Sequence, residues 1–123
     1  MSSPESPIGP VYLDTGLALS QIGDVEAMAS MLVLLQESLA RDIPLIAQLL
    51  HDADLVAANR VLHALKGFIP IFCIQPLCEH VVRVEGLSKD RQSTTAGPAY
   101  LLLMPELEQL LLEVSAYLET SAA

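Results

Sequence analysis

Apolar residues recur along most of the chain at steps of three and four, the spacing that places side chains on one face of an α-helix. The longest stripe comprises Met28, Leu32, Leu35, Leu39, Ile43, Ile46 and Leu50. Further stripes begin near Ala58, Leu77 and Tyr100. Four amphipathic segments with short connections bury every stripe most simply as an antiparallel four-helix bundle, so the predicted fold is all-α.

Capping residues indicate where these helices begin and end. Asp14 is placed to cap an additional short N-terminal helix, and Gly23 is placed to end it. Asp24 and Asp54 are predicted to cap the two helices that follow. Pro76 falls near the first turn of the next helix, where its missing N–H does no harm. The capping pattern therefore divides the chain into one short and four long helices.

Three prolines fall inside the helical pattern and predict irregularities, because proline cannot donate a backbone hydrogen bond. Pro44 is expected to kink its helix or to divide it into two helices that share one stripe. Pro70 is expected to bend the following helix or to end it early, and Pro105 to bend the last one. A polar loop is predicted over residues 88–97, and the last helix over residues 98–119.

Length and composition fit one domain with an aliphatic core. The chain has 123 residues, of which 52% are hydrophobic and only 4% aromatic. That length supports one hydrophobic core. Residues 1–10 include three prolines and are predicted to be a flexible tail or linker, whereas residues 11–120 form the predicted helical domain.

The charge excludes some classes of partner. Fifteen acids against six bases give a formal charge of −9, which argues against nucleic acid and against an anionic membrane surface. No uninterrupted apolar run reaches about 18 residues, so no direct membrane insertion is expected. A chain without an export signal and with only two cysteines is predicted to be cytoplasmic.

His63 lies on the third predicted helix but outside its apolar stripe. It is rotated by about 100° from Leu62 and shares the outer face with Asn59, Lys66 and Gly67. Histidine is the side chain that offers a ring-nitrogen lone pair near neutral pH. An imidazole with a lysine one turn on, and no side chain at the next position, suits a phosphoryl group.

His63, Lys66 and Gly67 form the motif His-x-x-Lys-Gly on a helix. Residues that extend the pattern over about 14–118 are Gly23, Asp24, Asp54, Leu77 and Glu85. With these residues the chain resembles the histidine phosphotransfer (HPt) domains of bacterial multistep phosphorelays. The fold of that family is the bundle predicted above from the apolar pattern.

The resemblance implies a phosphoryl carrier without independent turnover, and therefore not an enzyme. His63 is implied to accept a phosphoryl group at Nε2 from a receiver-domain aspartate and to pass it to another receiver. Lys66 is implied to stabilise the phosphoryl oxygens. Residues expected to contact the docked receiver are Gly67, Asn59, Arg60 and Phe68. For Arg60, a solvated side chain is the simpler interpretation.

The partners implied are receiver domains of response regulators or of hybrid histidine kinases. The receiver supplies the Mg²⁺, so no cofactor and no metal is assigned to this chain. A monomer is expected. Whether the domain stands alone or ends a hybrid kinase is left open by the sequence.

Two other function classes stay open. Phe68 and Pro70 crowd the motif, so one alternative is a non-phosphorylated helical interaction module, a degenerate HPt domain. The other is a small metal-binding or redox protein that uses Cys73, Cys78 and His80. Zinc sites usually have a closer cysteine pair and four ligands, so both cysteines are predicted to be core residues.

Overall fold

Five α-helices form most of residues 10–122, the part of the chain that the computed structural model describes. They are α1 (Thr15–Ile22), α2 (Val25–His51), α3 (Leu55–Phe68), α4 (Gln75–Ser88) and α5 (Ala96–Ala122). The four longer helices pack antiparallel, and α1 lies against α2. The predicted all-α bundle with a short additional helix is therefore confirmed. The predicted tail lies outside the described residues except for Pro10.

The predicted caps are present at the first three helices. Asp14, Asp24 and Asp54 each accept a hydrogen bond from the backbone N–H three residues ahead, at 2.9, 2.8 and 3.2 Å. Each bond satisfies one of the donors that the first turn of a helix leaves unpaired. Gly23 ends α1 in the left-handed region, with a φ of 86° that glycine adopts without strain.

Both α2 and α5 run through an internal proline without a break. Of the two outcomes predicted at Pro44, a kink or two separate helices, the second is wrong because α2 is one helix. Its apolar stripe is buried on both sides of Pro44, and that burial outweighs the loss of one backbone hydrogen bond. The Tyr100 hydroxyl of α5 also donates to the carbonyl oxygen of Ile43 at 2.7 Å and fixes this region.

Pro70 has the predicted effect on α3. The helix ends at Phe68 and passes into a single 3₁₀ turn, Ile69–Ile71, that contains the proline. The Ile69 and Phe72 side chains that follow are fully buried. The chain therefore leaves the helix five residues after His63, so the motif itself lies in regular helix.

The loop before α5 is shorter than predicted, because both helices that flank it are longer. Ser88 is buried in the last turn of α4, where its hydroxyl donates to the Glu85 carbonyl oxygen at 2.7 Å. The Ser93 hydroxyl accepts the backbone N–H of Ala96 at 3.1 Å, so α5 begins two residues before the predicted Pro98. Residues 89–95 form the loop.

The buried face of α5 is rotated from the predicted stripe. The fully buried residues are Ala96, Tyr100, Leu103, Leu107, Leu110 and Val114. The pattern predicted a stripe of Tyr100, Met104, Leu107, Leu111, Val114 and Leu118, broadened by Leu103, Leu110 and Tyr117. Within that stripe, Met104, Leu111 and Leu118 are only partly buried. The face is centred differently because α5 packs against α2 on one side and α4 on the other.

The segment before α1 is anchored to α5 by one carboxylate. Glu113 accepts the backbone N–H groups of Val11, Tyr12 and Leu13 at 2.8–2.9 Å. Burial raises the pKa of Glu113, but the hydrogen bonds from Gln109 and these N–H groups outweigh burial and lower it. The same segment pairs with residues 72–74, the connection between α3 and α4.

Apolar side chains also reach the surface of the bundle. Leu34 on α2 and Leu101, Leu102 and Leu112 on α5 are each more than half exposed. In the described part of the chain, no single helix has the length and apolar composition to cross a bilayer. Within residues 10–122, α1 and α2 taken together are the one pair that reaches that threshold, and they are bent by 118° where they meet.

Ala53, just after α2, has a φ of 60° in the left-handed region. Ala53→Gly is expected to raise the free energy of unfolding by about 0.5–1 kcal/mol, because removal of the β-carbon relieves more strain than the added chain entropy costs. Urea unfolding measures the change. The control Ala116→Gly, at an exposed position inside α5, is expected to lower the same free energy by about 1 kcal/mol. A destabilised Ala53→Gly variant would contradict the prediction.

Candidate functional site

His63 stands on the outer face of α3 with 66% of its side chain exposed. The helix is fixed in this rotation because Ala58, Leu62 and Leu65 are buried in the core. Helical geometry then turns the histidine outward, toward solvent on one side and toward α4 on the other. The apolar pattern that builds the bundle therefore also presents the imidazole.

Glu85 of α4 is the centre of the site. Its side chain is only 2% exposed, and its two oxygens face different partners. Oε2 lies 3.3 Å from His63 Nδ1 and 3.0 Å from Asn59 Nδ2. Oε1 lies 3.2 Å from Lys66 Nζ and 3.9 Å from Lys89 Nζ. One buried carboxylate thus contacts four side chains, three from α3 and one, Lys89, just after α4.

Asn59 locks the two helices together below the histidine. Its Nδ2 donates to Glu85 Oε2 at 3.0 Å, to the Glu85 carbonyl oxygen at 3.2 Å and to Ser88 Oγ at 3.0 Å. An amide NH₂ group has two hydrogens, so one of the three bonds is shared. Asn59, which was predicted to contact a docked receiver, is half-buried, and its amide supports Glu85.

The carboxylate determines which ring nitrogen of His63 is free. Burial raises the pKa of Glu85, but hydrogen bonds from Asn59, Lys66 and His63, with the charge of Lys66, outweigh burial and lower it. Glu85 is then ionised at neutral pH and can only accept hydrogen bonds. His63 Nδ1 must carry the hydrogen that points to Oε2, so in the neutral ring the lone pair lies on the exposed Nε2.

An open cleft of about 530 Å³ lies beside the histidine. It is lined by Val56, Asn59, Arg60, His63, Glu85 and Lys89. Arg60 is exposed and forms no ion pair within residues 10–122, and Lys89 is 62% exposed. Glu85 is already hydrogen-bonded to its neighbours, so Arg60 and Lys89 make the charge that faces a ligand in this cleft positive.

Gly67 and Phe68 differ in what they offer a partner. Gly67 is exposed, has no positive φ, and a β-carbon built there would meet no atom within 4 Å. Nothing in the fold requires glycine at this position. Phe68 is partly buried against the core, and its ring stands edge-on to Phe72 with the centroids 5.2 Å apart. Its ring is therefore engaged mainly with the protein interior.

The cysteine pair has the environment of core residues. Cys73 and Cys78 are buried and free, and burial raises the pKa of both thiols, which disfavours the reactive thiolate. His80, named with them, instead places Nδ1 2.9 Å from Glu106 Oε1. Across residues 10–122, no three His, Cys, Asp or Glu side chains are grouped so as to hold a metal ion.

Glu85 was predicted only as one of the residues that resemble the HPt family, and no role at the site was predicted for it. Lys89 and Ser88 were not named as site residues at all. The signal was present in α4, where Glu85 and Ser88 interrupt the buried face formed by Leu77, Val81 and Val84. Polar residues on a buried helical face need partners, and here the partners come from α3.

Comparison of the chain with protein-family models, with curated proteins and with solved structures gives no match. The resemblance to HPt domains stays a prediction from the motif residues. The side-chain geometry around His63 is an observation independent of that resemblance.

Glu85→Gln is expected to lower the free energy of unfolding by about 1–3 kcal/mol at pH 5.5, because the buried amide NH₂ group would face donors that a carboxylate oxygen accepts in the wild type. A carboxyl whose pKa is lowered by folding stabilises the fold above its unfolded pKa of about 4.5 and loses that contribution as the pH falls through the folded value. The difference between wild type and variant should therefore shrink toward pH 3.5.

Urea unfolding at both pH values measures this difference. The control Glu79→Gln removes an exposed acid from the same helix and is expected to change stability by less than about 0.5 kcal/mol. A Glu85→Gln effect that stayed constant between the two pH values would show that the ionised carboxylate is not what stabilises the cluster.

Proposed function

We propose that this protein is a histidine phosphotransfer carrier. His63 accepts a phosphoryl group from an aspartyl phosphate on a receiver domain and passes it to the aspartate of another receiver. The observation that supports this most directly is the exposed Nε2 of His63, whose opposite ring nitrogen is bonded to the buried Glu85 carboxylate. The motif His-x-x-Lys-Gly supports it independently.

In the proposed step, the Nε2 lone pair of His63 attacks phosphorus. The N–P bond forms, the P–O bond to the aspartate breaks, and the aspartate leaves as a carboxylate with the electron pair. No proton has to move, because Nε2 carries none. The imidazole ring becomes positively charged, and Glu85, 3.3 Å from Nδ1, stabilises that charge. Attack by the second receiver's aspartate reverses the step.

Lys66 supplies positive charge beside the transferred group. Its Nζ is hydrogen-bonded to Glu85 Oε1, and its side chain is 28% exposed. During transfer, the negative charge of the phosphoryl group is spread over its equatorial oxygens. Nearby ammonium groups stabilise that charge. In this proposal the receiver contributes Mg²⁺ and the groups that hold the donor. The protein is therefore a carrier that does not turn over a substrate alone.

A second candidate function is a helical interaction module in which His63 is not phosphorylated. The large apolar side chains exposed on α5 favour it, since Leu101, Leu102 and Leu112 are 59%, 72% and 65% exposed. Exposed apolar surface of this kind commonly marks contact with other proteins. The two functions differ in one measurable property, the acceptance of phosphate by His63.

His63→Gln is expected to abolish phosphoryl acceptance and to change the free energy of unfolding by no more than about 1 kcal/mol, since the side chain is mostly exposed. The assay adds the protein to receiver domains loaded with labelled phosphate and follows acid-labile, base-stable label. His51→Gln, which alters an exposed histidine at the end of α2, serves as the control and should retain full labelling. Wild-type labelling of His63→Gln would refute the carrier function, and no labelling of the wild type would favour the interaction module.

Gly67→Ala is expected to raise the free energy of unfolding by about 0.5–1 kcal/mol, because alanine is the better helix former and its β-carbon meets no atom. Transfer should nevertheless slow, since the methyl group stands where the receiver approaches. Gly67→Glu should slow transfer more, by at least about tenfold, which corresponds to 1.4 kcal/mol of lost docking energy.

Unfolding and transfer rates are measured on the same preparations. Gly97→Ala, in the first turn of α5, makes the same chemical change away from His63 and should leave the transfer rate unchanged. Full transfer by Gly67→Glu would show that the receiver does not approach over this part of α3.

A further inference from the structure

The charges of this protein are divided unevenly between its two halves. Residues 55–91, from the first residue of α3 to three residues past the end of α4, hold five of the six lysines and arginines and only three acids, a formal charge of +2. Asp54, which caps α3, and Asp52 lie just before this range. The rest of the chain holds one base and twelve acids, a formal charge of −11. The net charge of −9 is therefore distributed unevenly, and residues 55–91 carry its positive share.

The positive charges of that half that lie near His63 are available to a partner. Arg60 is exposed, Lys66 is partly exposed and Lys89 is largely exposed, whereas the one acid among them, Glu85, is buried and fully bonded. On the opposite side α5 has four acids and no base. The single arginine of α2, Arg41, is bound to its neighbour Asp42 at 2.8 Å.

Two exposed positions near these charges, one on each helix, carry no side chain. Gly67 on α3 and Gly86 on α4 are exposed, and a β-carbon at either position would meet no atom within 4 Å. Glycine inside a helix is unfavourable relative to alanine, and the fold gives no local reason for it at either place. Val82, Gly86 and Lys89 follow one another at steps of four and three, so they share one face of α4.

We infer that the α3/α4 face, formed by Arg60, Gly67, Val82, Gly86 and Lys89 around His63, docks the acidic active-site edge of a phosphorylated receiver domain, and that the divided charge of the bundle steers this approach. The inference rests on the proposed function and names the surface chemistry of the partner. Such an edge is acidic because the phosphoryl group carries up to about two negative charges and Mg²⁺ is held by carboxylates.

Charge division acts mainly on the rate of encounter. An acidic edge is attracted to the +2 half and repelled by the −11 half, so productive orientations are enriched before contact. The attraction between exposed charges is screened within about 10 Å at 0.1 M salt. The transfer rate at low receiver concentration should therefore fall as salt rises, and the α3/α4 cations should account for most of that fall.

Two variants of equal net charge test this inference. Arg60→Gln with Lys89→Gln removes two cations from the α3/α4 face, and Ser30→Glu with Ala116→Glu adds two acids to exposed positions of α2 and α5. Each changes the formal charge by the same amount. The second-order rate of transfer from an Mg²⁺-loaded, phosphorylated receiver is measured at 50 and 500 mM NaCl. Each rate is divided by the rate of His63 labelling with phosphoramidate, in which Nε2 displaces ammonia without any docking protein.

The Arg60/Lys89 variant is expected to be slower than wild type by about fivefold to tenfold at 50 mM salt and by less than about twofold at 500 mM. The Ser30/Ala116 variant is expected to stay within about twofold of wild type at both. If both variants slowed equally, or if the Arg60/Lys89 variant did not slow, the inference would be overturned. Transfer to the wild-type protein would still support the proposed function in that case. Phosphoramidate labelling without transfer from any receiver would overturn both.

Gly86→Gln tests separately whether the docking surface extends onto α4. A long side chain there is expected to slow transfer by about fivefold or more at both salt concentrations, because steric exclusion is not screened. The same change at Gly97, outside the α3/α4 face, is the control. A wild-type rate in Gly86→Gln would confine the docking surface to α3 and overturn the part assigned to α4.

Discussion

The candidate site depends on one buried carboxylate. A charged group with 2% of its side chain exposed would be strongly unfavourable if it stood alone, and Glu85 is ionised only because α3 surrounds it with donors. Its two oxygens separate the roles of the neighbours, with His63 and Asn59 on Oε2 and the two lysines on Oε1. The same contact holds α3 against α4 and sets the tautomer of His63.

This arrangement couples the packing of the bundle to the reactivity of the imidazole. Leu62 and Leu65 fix the rotation of α3, and Val81 and Val84 fix that of α4. Glu85 then meets His63 without any flexible element between them. The exposed ring nitrogen is consequently presented by two rigid helices, a placement that holds a reacting group more accurately than a loop does.

Several residues of this face depart from what stability alone favours. Gly67 and Gly86 lie inside helices with room for a side chain, and Arg60 stands exposed without an ion pair among the described residues. Departures from local rules concentrate at functional surfaces in proteins that otherwise obey them. Pro44, by contrast, breaks a local rule within a helix that the buried stripe keeps intact. The bundle tolerates this loss because apolar burial dominates its stability.

The helices, their caps and the outward position of His63 could be predicted from the order of residues, because these features follow from contacts between residues a few positions apart. Helical period, the caps at Asp14, Asp24 and Asp54, and the early end of α3 at Pro70 are all local properties. Three features became visible only in the packed bundle: Asn59 supports Glu85, Glu85 contacts four side chains, and the buried face of α5 is centred on Leu103 and Leu110. Those features depend on which helix packs against which and at what rotation, and a pattern within one helix does not contain that information.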